Sequence, residues 1–137
     1  MKEQLNRNGT LVVDLDHTLT MVSELDYDNK PVNSKVVSRL VEYKGKGYQI
    51  VIHTSRNVRT FKGDISRINK YTLPSIIKWL EKHEIPYDGV VVGKPWCGHE
   101  GFYVDDRAVR PSEFIAYSEP EIKELLDNEL KKIAGNN

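Results

Sequence analysis

At 137 residues the chain has room for a single domain, residues 1–137, built around one hydrophobic core. Its 20 basic side chains balance 20 acidic ones, which argues against a nucleic acid or an anionic membrane held by bulk charge. The lone cysteine, Cys97, excludes an internal disulfide, no apolar run reaches the roughly 18 residues of a membrane span, and Met1–Leu5 opens no signal peptide, so a cytoplasmic protein is expected.

The first predicted element is a strand, Leu11–Val13, that runs into Asp14-Leu15-Asp16-His17-Thr18. Residues 19–32 are polar and end at Pro31, which reads as a loop or small hairpin. Asn33 is a plausible N-cap for a helix carrying Val36, Val37, Leu40 and Val41 at helical spacing, with Gly45 and Gly47 as the stop. A second strand, about 48–53, ends at Thr54-Ser55. Thr72 is expected to cap a second helix whose Leu73, Ile76, Ile77 and Leu80 share one face, Pro74 being tolerated in the first turn. Strand three, about 89–92, leads to Gly93-Lys94, and a fourth, 102–104, leads to Asp105-Asp106. Ser118-Glu119-Pro120-Glu121 is a capping box for a last helix striped with Ile122, Leu125, Leu126, Leu130 and Ile133.

Strands alternating with helices predict an α/β fold, a Rossmann-like three-layer sandwich on a mostly parallel sheet. Short β-branched runs of this kind are expected to be buried on both faces. In such sheets ligands bind beyond the carboxyl ends of the strands. Four strand ends would therefore deliver four carboxylates, a hydroxyl pair and a lysine to one rim. The short connection from Gly93 to Gly101 is the awkward one, since parallel neighbours normally need a dozen residues or more between them.

The residues at those ends suit phosphate chemistry. Asp14 and Asp16 are two apart, so their side chains share a side of the strand, and one can attack phosphorus while the other handles protons. Four carboxylates on one rim repel each other by roughly 4 kcal/mol per close pair at an effective dielectric of about 20. Hard oxygen ligands around an anionic substrate point to Mg²⁺. Thr54 and Ser55 offer hydroxyls and amides to a phosphoryl oxygen, and Lys94 offers a point charge, held extended by Pro95.

Taken in order, Asp14-x-Asp16-x-Thr18, a strand ending at Thr54, then Lys94, then Asp105-Asp106 resembles the haloacid dehalogenase superfamily of phosphohydrolases over residues 10–111. The resemblance implies an aspartyl-phosphate on Asp14 and acid/base work by Asp16. It also implies Mg²⁺ held by Asp14, the Asp16 carbonyl, Asp105 and Asp106, with phosphoryl binding by Thr54 and Lys94. His17 departs from the glycine common there, but histidine enters left-handed backbone more readily than most residues. The phrases Thr54-Ser55-Arg56-Asn57, Gly93-Lys94-Pro95-Trp96-Cys97-Gly98 and Phe102-Tyr103-Val104-Asp105-Asp106-Arg107 further resemble the branch described as capsular polysaccharide biosynthesis phosphatases. That implies a sugar phosphate or related small metabolite as substrate.

The gaps from Asp16 to Thr54 and from Thr54 to Lys94 leave no space for an inserted cap domain. Such a site would close by its loops, by the substrate's bulk or by a second copy in a homo-oligomer. Residues 56–70, with Arg56, Arg59, Lys62, Arg67 and Lys70 against Asp64, are expected to form an open basic loop, with Arg56 as its substrate-binding residue. A phosphotransferase and a non-catalytic phosphate-binding module are the alternatives on the same fold. A signalling receiver domain uses similar groups in a different order.

Overall fold

The computed structural model describes residues 9–135. Two compact units divide them, one running up to Trp96 and the other starting at Cys97.

The first unit is built on an open three-stranded parallel sheet of order β1-β2-β3, with β1 at Thr10–Val13, β2 at Gln49–His53 and β3 at Gly89–Val91. Thr10 pairs with Gln49 and Val13 with Ile52, while Val51 pairs with Gly89 and His53 with Val91. The three β-branched runs thus become strands as their sequences predict, and the α/β class follows. The expected burial on both faces is not found. Val13, Ile50 and Ile52 share one face and are buried, whereas on the opposite face Val51 is half-buried, Val12 is 66% exposed and Val91 48%, because alternate strand residues point to opposite sides and only one side carries the core.

Helix α1, Ser34–Gly45, starts where Asn33 accepts the Val36 amide, and it buries Val36, Leu40 and Tyr43. The second helical run begins earlier than its sequence suggests. Asp64 caps α2, Ile65–Arg67, and a π-helical turn over Ile68–Thr72 leads directly into α3, Leu73–Lys82. Thr72 is therefore no N-cap. Its hydroxyl instead donates to Asn57 Oδ1 at 2.8 Å. In α3, Ile76, Trp79 and Leu80 are buried, each contributing about 1.5–3 kcal/mol. Residues 19–32 form the expected small hairpin-like loop, closed by an antiparallel bridge between Thr20 and Val32 and holding a 3-10 turn at Tyr27–Asn29.

One polar tie joins α1, β2 and the entry to β3. Asp88 takes Lys44 Nζ on both oxygens at 2.7 Å and the Ile50 amide at 2.8 Å. Burial opposes the Asp88 charge, but the Lys44 hydrogen bond, the Ile50 amide and the Lys44 charge outweigh it and hold the carboxyl below its ordinary 3.8. A carboxyl lowered on folding stabilises above its unfolded value, and that stabilisation is lost as pH falls through the folded value. Asp88→Ala is expected to cost about 1–2 kcal/mol at pH 7, from one orphaned amide and one part-exposed ion pair. That difference should shrink below about pH 4 in urea unfolding. An undiminished difference at pH 3 would remove Asp88 from the acid transition.

In the second unit, α4 spans Pro111–Ala116 and α5 spans Glu119–Ile133. The Ser118–Glu121 capping box is present as expected. Helix α4 has no counterpart in the sequence reading, although Pro111 in the first turn and Glu113 accepting the Arg110 amide at 2.7 Å are legible start signals. The expected fourth strand is not formed: residues 102–104 are irregular. Among the described residues of this unit no other strand offers them a hydrogen-bonding ladder, and a strand without a partner leaves its amides unpaired.

Candidate active site

At the carboxyl end of β1 the strand alternation continues past the last paired residue. Leu15 is fully buried, so Asp14 and Asp16 are turned away from the core on the other side. The chain then coils around one atom, with the Leu15 carbonyl accepting the amides of Thr18 at 3.3 Å, Leu19 at 2.9 Å and Thr20 at 3.1 Å. His17 takes the left-handed conformation the coil demands, at φ 65°, and its amide donates to Thr20 Oγ1. These loop amides go elsewhere than to the Asp16 carbonyl, which stays outside the coil's hydrogen bonding.

The two carboxylates have different company. Asp14 accepts from the Thr18 hydroxyl at 3.2 Å and has Lys94 Nζ at 3.6 Å, with a side chain still 36% exposed. Asp16 is clamped: Arg56 Nη2 reaches one of its oxygens at 2.7 Å and Nε the other at 3.1 Å. The Arg56 guanidinium lies 4.0 Å from the centre of the Tyr27 ring and is almost wholly buried. This corrects the sequence picture of Arg56 on an open rim. In place of an open charge available to substrate, the guanidinium is enclosed by the Asp16 carboxylate and the Tyr27 ring.

Thr54 is buried at the end of β2, where its Oγ1 accepts the Arg56 amide at 3.0 Å. One accepted bond leaves the hydroxyl proton to donate to a further acceptor. The Thr54 amide donates to the Val91 carbonyl at 3.0 Å, and the Lys94 amide donates to the Thr54 carbonyl at 3.1 Å. Lys94 is thereby tied to β2 through the main chain. Gly93 makes the turn at φ 84°, and a side chain there would also run into Ile65 Cδ1. Ser55 is half-buried, and its carbonyl takes the Val58 amide at 3.0 Å.

The structure thus brings Asp14, Asp16, Thr54, Arg56 and Lys94 into one connected cluster within the first unit. The 52% identity of this chain to an MCSG target from Vibrio cholerae, known from its crystal structure, sets that cluster in a family context. The match has a TM-score of 0.87 and covers 88% of this chain and 98% of that one. The chain belongs to that protein's family. A chain of the Pnkp1/Rnl/Hen1 complex is similar at a TM-score of 0.50 and 21% identity, over 79% of this chain and 34% of that one. That likeness shows a shared fold. No protein-family model and no curated protein sequence matches.

Asp105 and Asp106 are carried by the second unit. Asp105 Oδ1 accepts the Arg107 amide at 2.8 Å in a turn, and both acids line an open cleft with Val104, Glu129 and Ile133. Residues 56–70 are more ordered than an open loop. They turn at Asn57 and Lys62, both with positive φ, and then enter α2. Their charges are partly spoken for as well: Arg59 lies 5.5 Å over the Trp96 ring and Lys70 lies 5.2 Å over the Tyr71 ring. Sequence reasoning gave no part to Tyr27, and Thr18 entered only as a motif position. For Thr18 the signal is its place four residues after Asp14; for Tyr27 no local signal exists.

Proposed function

We propose that this chain is a Mg²⁺-dependent phosphomonoester hydrolase of the haloacid dehalogenase type. Its proposed substrate is a sugar phosphate or related small metabolite of polysaccharide biosynthesis, and its proposed setting is the cytoplasm. The observation that carries the reading is the unequal pair at the tip of β1, where Asp14 stands half-open beside Lys94 and Thr18 while Asp16 is clamped. Two carboxylates in unlike settings can divide the work of nucleophile and acid/base.

In the first half-reaction an Asp14 oxygen forms a bond to phosphorus as the ester P–O bond breaks, and Asp16 gives its proton to the departing oxygen. In the second half-reaction water forms a bond to the same phosphorus while Asp16 takes a proton from that water. The P–O bond to Asp14 breaks, and inorganic phosphate leaves with Asp14 restored. Lys94 and the Thr54 hydroxyl hold the phosphoryl oxygens through the exchange.

The first unit offers magnesium two hard oxygen donors, the half-open Asp14 carboxylate and a main-chain carbonyl outside the loop's own bonding. Asp14 and the Asp16 carbonyl would hold the ion, and the resemblance adds Asp105 and Asp106. When bound, Mg²⁺ supplies charge neutralisation to the phosphoryl group.

The test is a phosphate-release screen of the intact chain in Mg²⁺ buffer across sugar phosphates, nucleotides and a phosphoprotein. Release from a sugar phosphate is expected. Release from none of these esters would end the hydrolase reading, and transfer to an added sugar in place of water would make the protein a phosphotransferase.

A further inference from the structure

We infer that Arg56 is a positioning residue for the proposed acid/base Asp16, held in place by the ring of Tyr27, and that it does not bind substrate. This rests on the hydrolase reading and names how its proton-handling group is aimed.

Three observations converge. The Arg56 fork takes both Asp16 oxygens, through Nη2 at 2.7 Å and Nε at 3.1 Å. The Arg56 side chain is only 1% exposed, so it presents almost nothing to an incoming ligand. Its guanidinium carbon lies over the Tyr27 ring, 4.0 Å from the ring centre, and its amide is spent on Thr54 Oγ1. A side chain held at its backbone, by its fork and against a ring is restricted to one geometry.

The loop that carries Tyr27 is itself pinned. The Thr20–Val32 bridge closes it, Lys30 Nζ donates to the Ser23 carbonyl at 2.8 Å, and Trp79 Nε1 donates to the Lys30 carbonyl at 3.0 Å. The chain of support runs from α3 through the 20–32 loop to Tyr27, then to Arg56 and Asp16. Asp14 is held by other groups, Thr18 and Lys94. Loosening Arg56 should therefore disturb the proton donor and spare the nucleophile.

That separation has a chemical signature. An alkyl phosphate needs a proton on its departing oxygen, whereas p-nitrophenyl phosphate releases a stable anion and does not. kcat/KM reports the steps up to loss of the leaving group, before water enters. Arg56→Lys keeps the charge but cannot make the fork. It should lower kcat/KM for glycerol 3-phosphate by about 10²-fold, the scale of a misplaced catalytic group, and for p-nitrophenyl phosphate by less than about tenfold. Tyr27→Leu, which leaves the fork but removes its platform, should show the same selectivity at smaller amplitude. The melting temperature of each variant, measured alongside, reports folding. If Arg56→Lys fails to fold, the Tyr27→Leu ratio decides.

Equal losses on the two esters would overturn the proposal, since a phosphate-binding or merely structural arginine affects both alike. No loss on either would overturn it too. Absence of hydrolysis of both esters by the wild-type chain would instead defeat the hydrolase reading itself, and this inference with it.

Discussion

Asp14→Asn is expected to lower kcat by at least about 10⁴-fold, the order of loss that follows removal of a nucleophile. An amide oxygen does not attack phosphorus, and no neighbouring group can replace it: Asp16 is held by Arg56, and the Thr54 hydroxyl, whose oxygen accepts the Arg56 amide, has no base beside it to make it a nucleophile. The fold should survive. The substituted carboxamide can still accept from the Thr18 hydroxyl, and the lost ion pair to Lys94 spans 3.6 Å at a part-exposed carboxylate, worth at most about 1 kcal/mol. The checks are turnover of a phosphate ester and thermal unfolding on the same sample. Beryllofluoride should modify the wild-type chain at Asp14 and leave Asp14→Asn unmodified. Turnover within tenfold of wild type, from contaminant-free protein, would require a different nucleophile.

Removing divalent metal should bring activity to background, and adding Mg²⁺ should restore it. The reason is a charge count within the first unit. With Asp16 carrying the proton it donates, Asp14 stands against Lys94 and Arg56, so the cluster holds one positive charge before substrate arrives. A phosphate dianion then leaves one negative charge without compensation and sets the Asp14 carboxylate against the phosphoryl oxygens. At about 4 Å and an effective dielectric of about 20, each like-charged contact costs roughly 4 kcal/mol, enough to keep substrate out. A divalent cation offsets both. Mg²⁺ should also raise the melting temperature without substrate, since an ion at 100 times its Kd stabilises by about 2.7 kcal/mol. Full turnover after exhaustive chelation would rule out the metal mechanism.

The strand ends were readable because they combine two local signals, a β-branched run and an abrupt change to charged or hydroxyl residues. Val13 to Asp14, His53 to Thr54 and Val92 to Lys94 all show it, and the first unit places those residues where strand geometry implies. Phe102–Val104 carries the same pattern without becoming a strand. A run of three β-prone residues specifies a tendency, and only a neighbouring ladder turns it into structure. Thr72 differs in another way: a hydroxyl residue ahead of an apolar stripe, with Pro74 tolerated in the first turn, implies a helix start there. Yet the Leu73 amide reaches back to the Ile68 carbonyl in the wider π turn, and the helical run passes into Pro74 unbroken. Arg56 was the least legible. Its two partners, Asp16 and Tyr27, lie far away in sequence, and nothing in Thr54-Ser55-Arg56-Asn57 indicates that the charge faces inward.

The paired main-chain bonds at the end of β2 make the groups around it separable. Lys94 is located by its amide on the Thr54 carbonyl, and Thr54 by its own amide on the Val91 carbonyl. Neither bond uses a side chain. Each functional group can therefore be deleted without relocating the other, as interchangeable tools are drawn from fixed sockets. Removing the ammonium at position 94 leaves Thr54 in place, and removing the hydroxyl at position 54 leaves Lys94 in place, although the buried Arg56 amide then loses its partner. The turn at Gly93 has less latitude, because its left-handed backbone strains a residue with a β-carbon and the Ile65 side chain would have to shift to admit one.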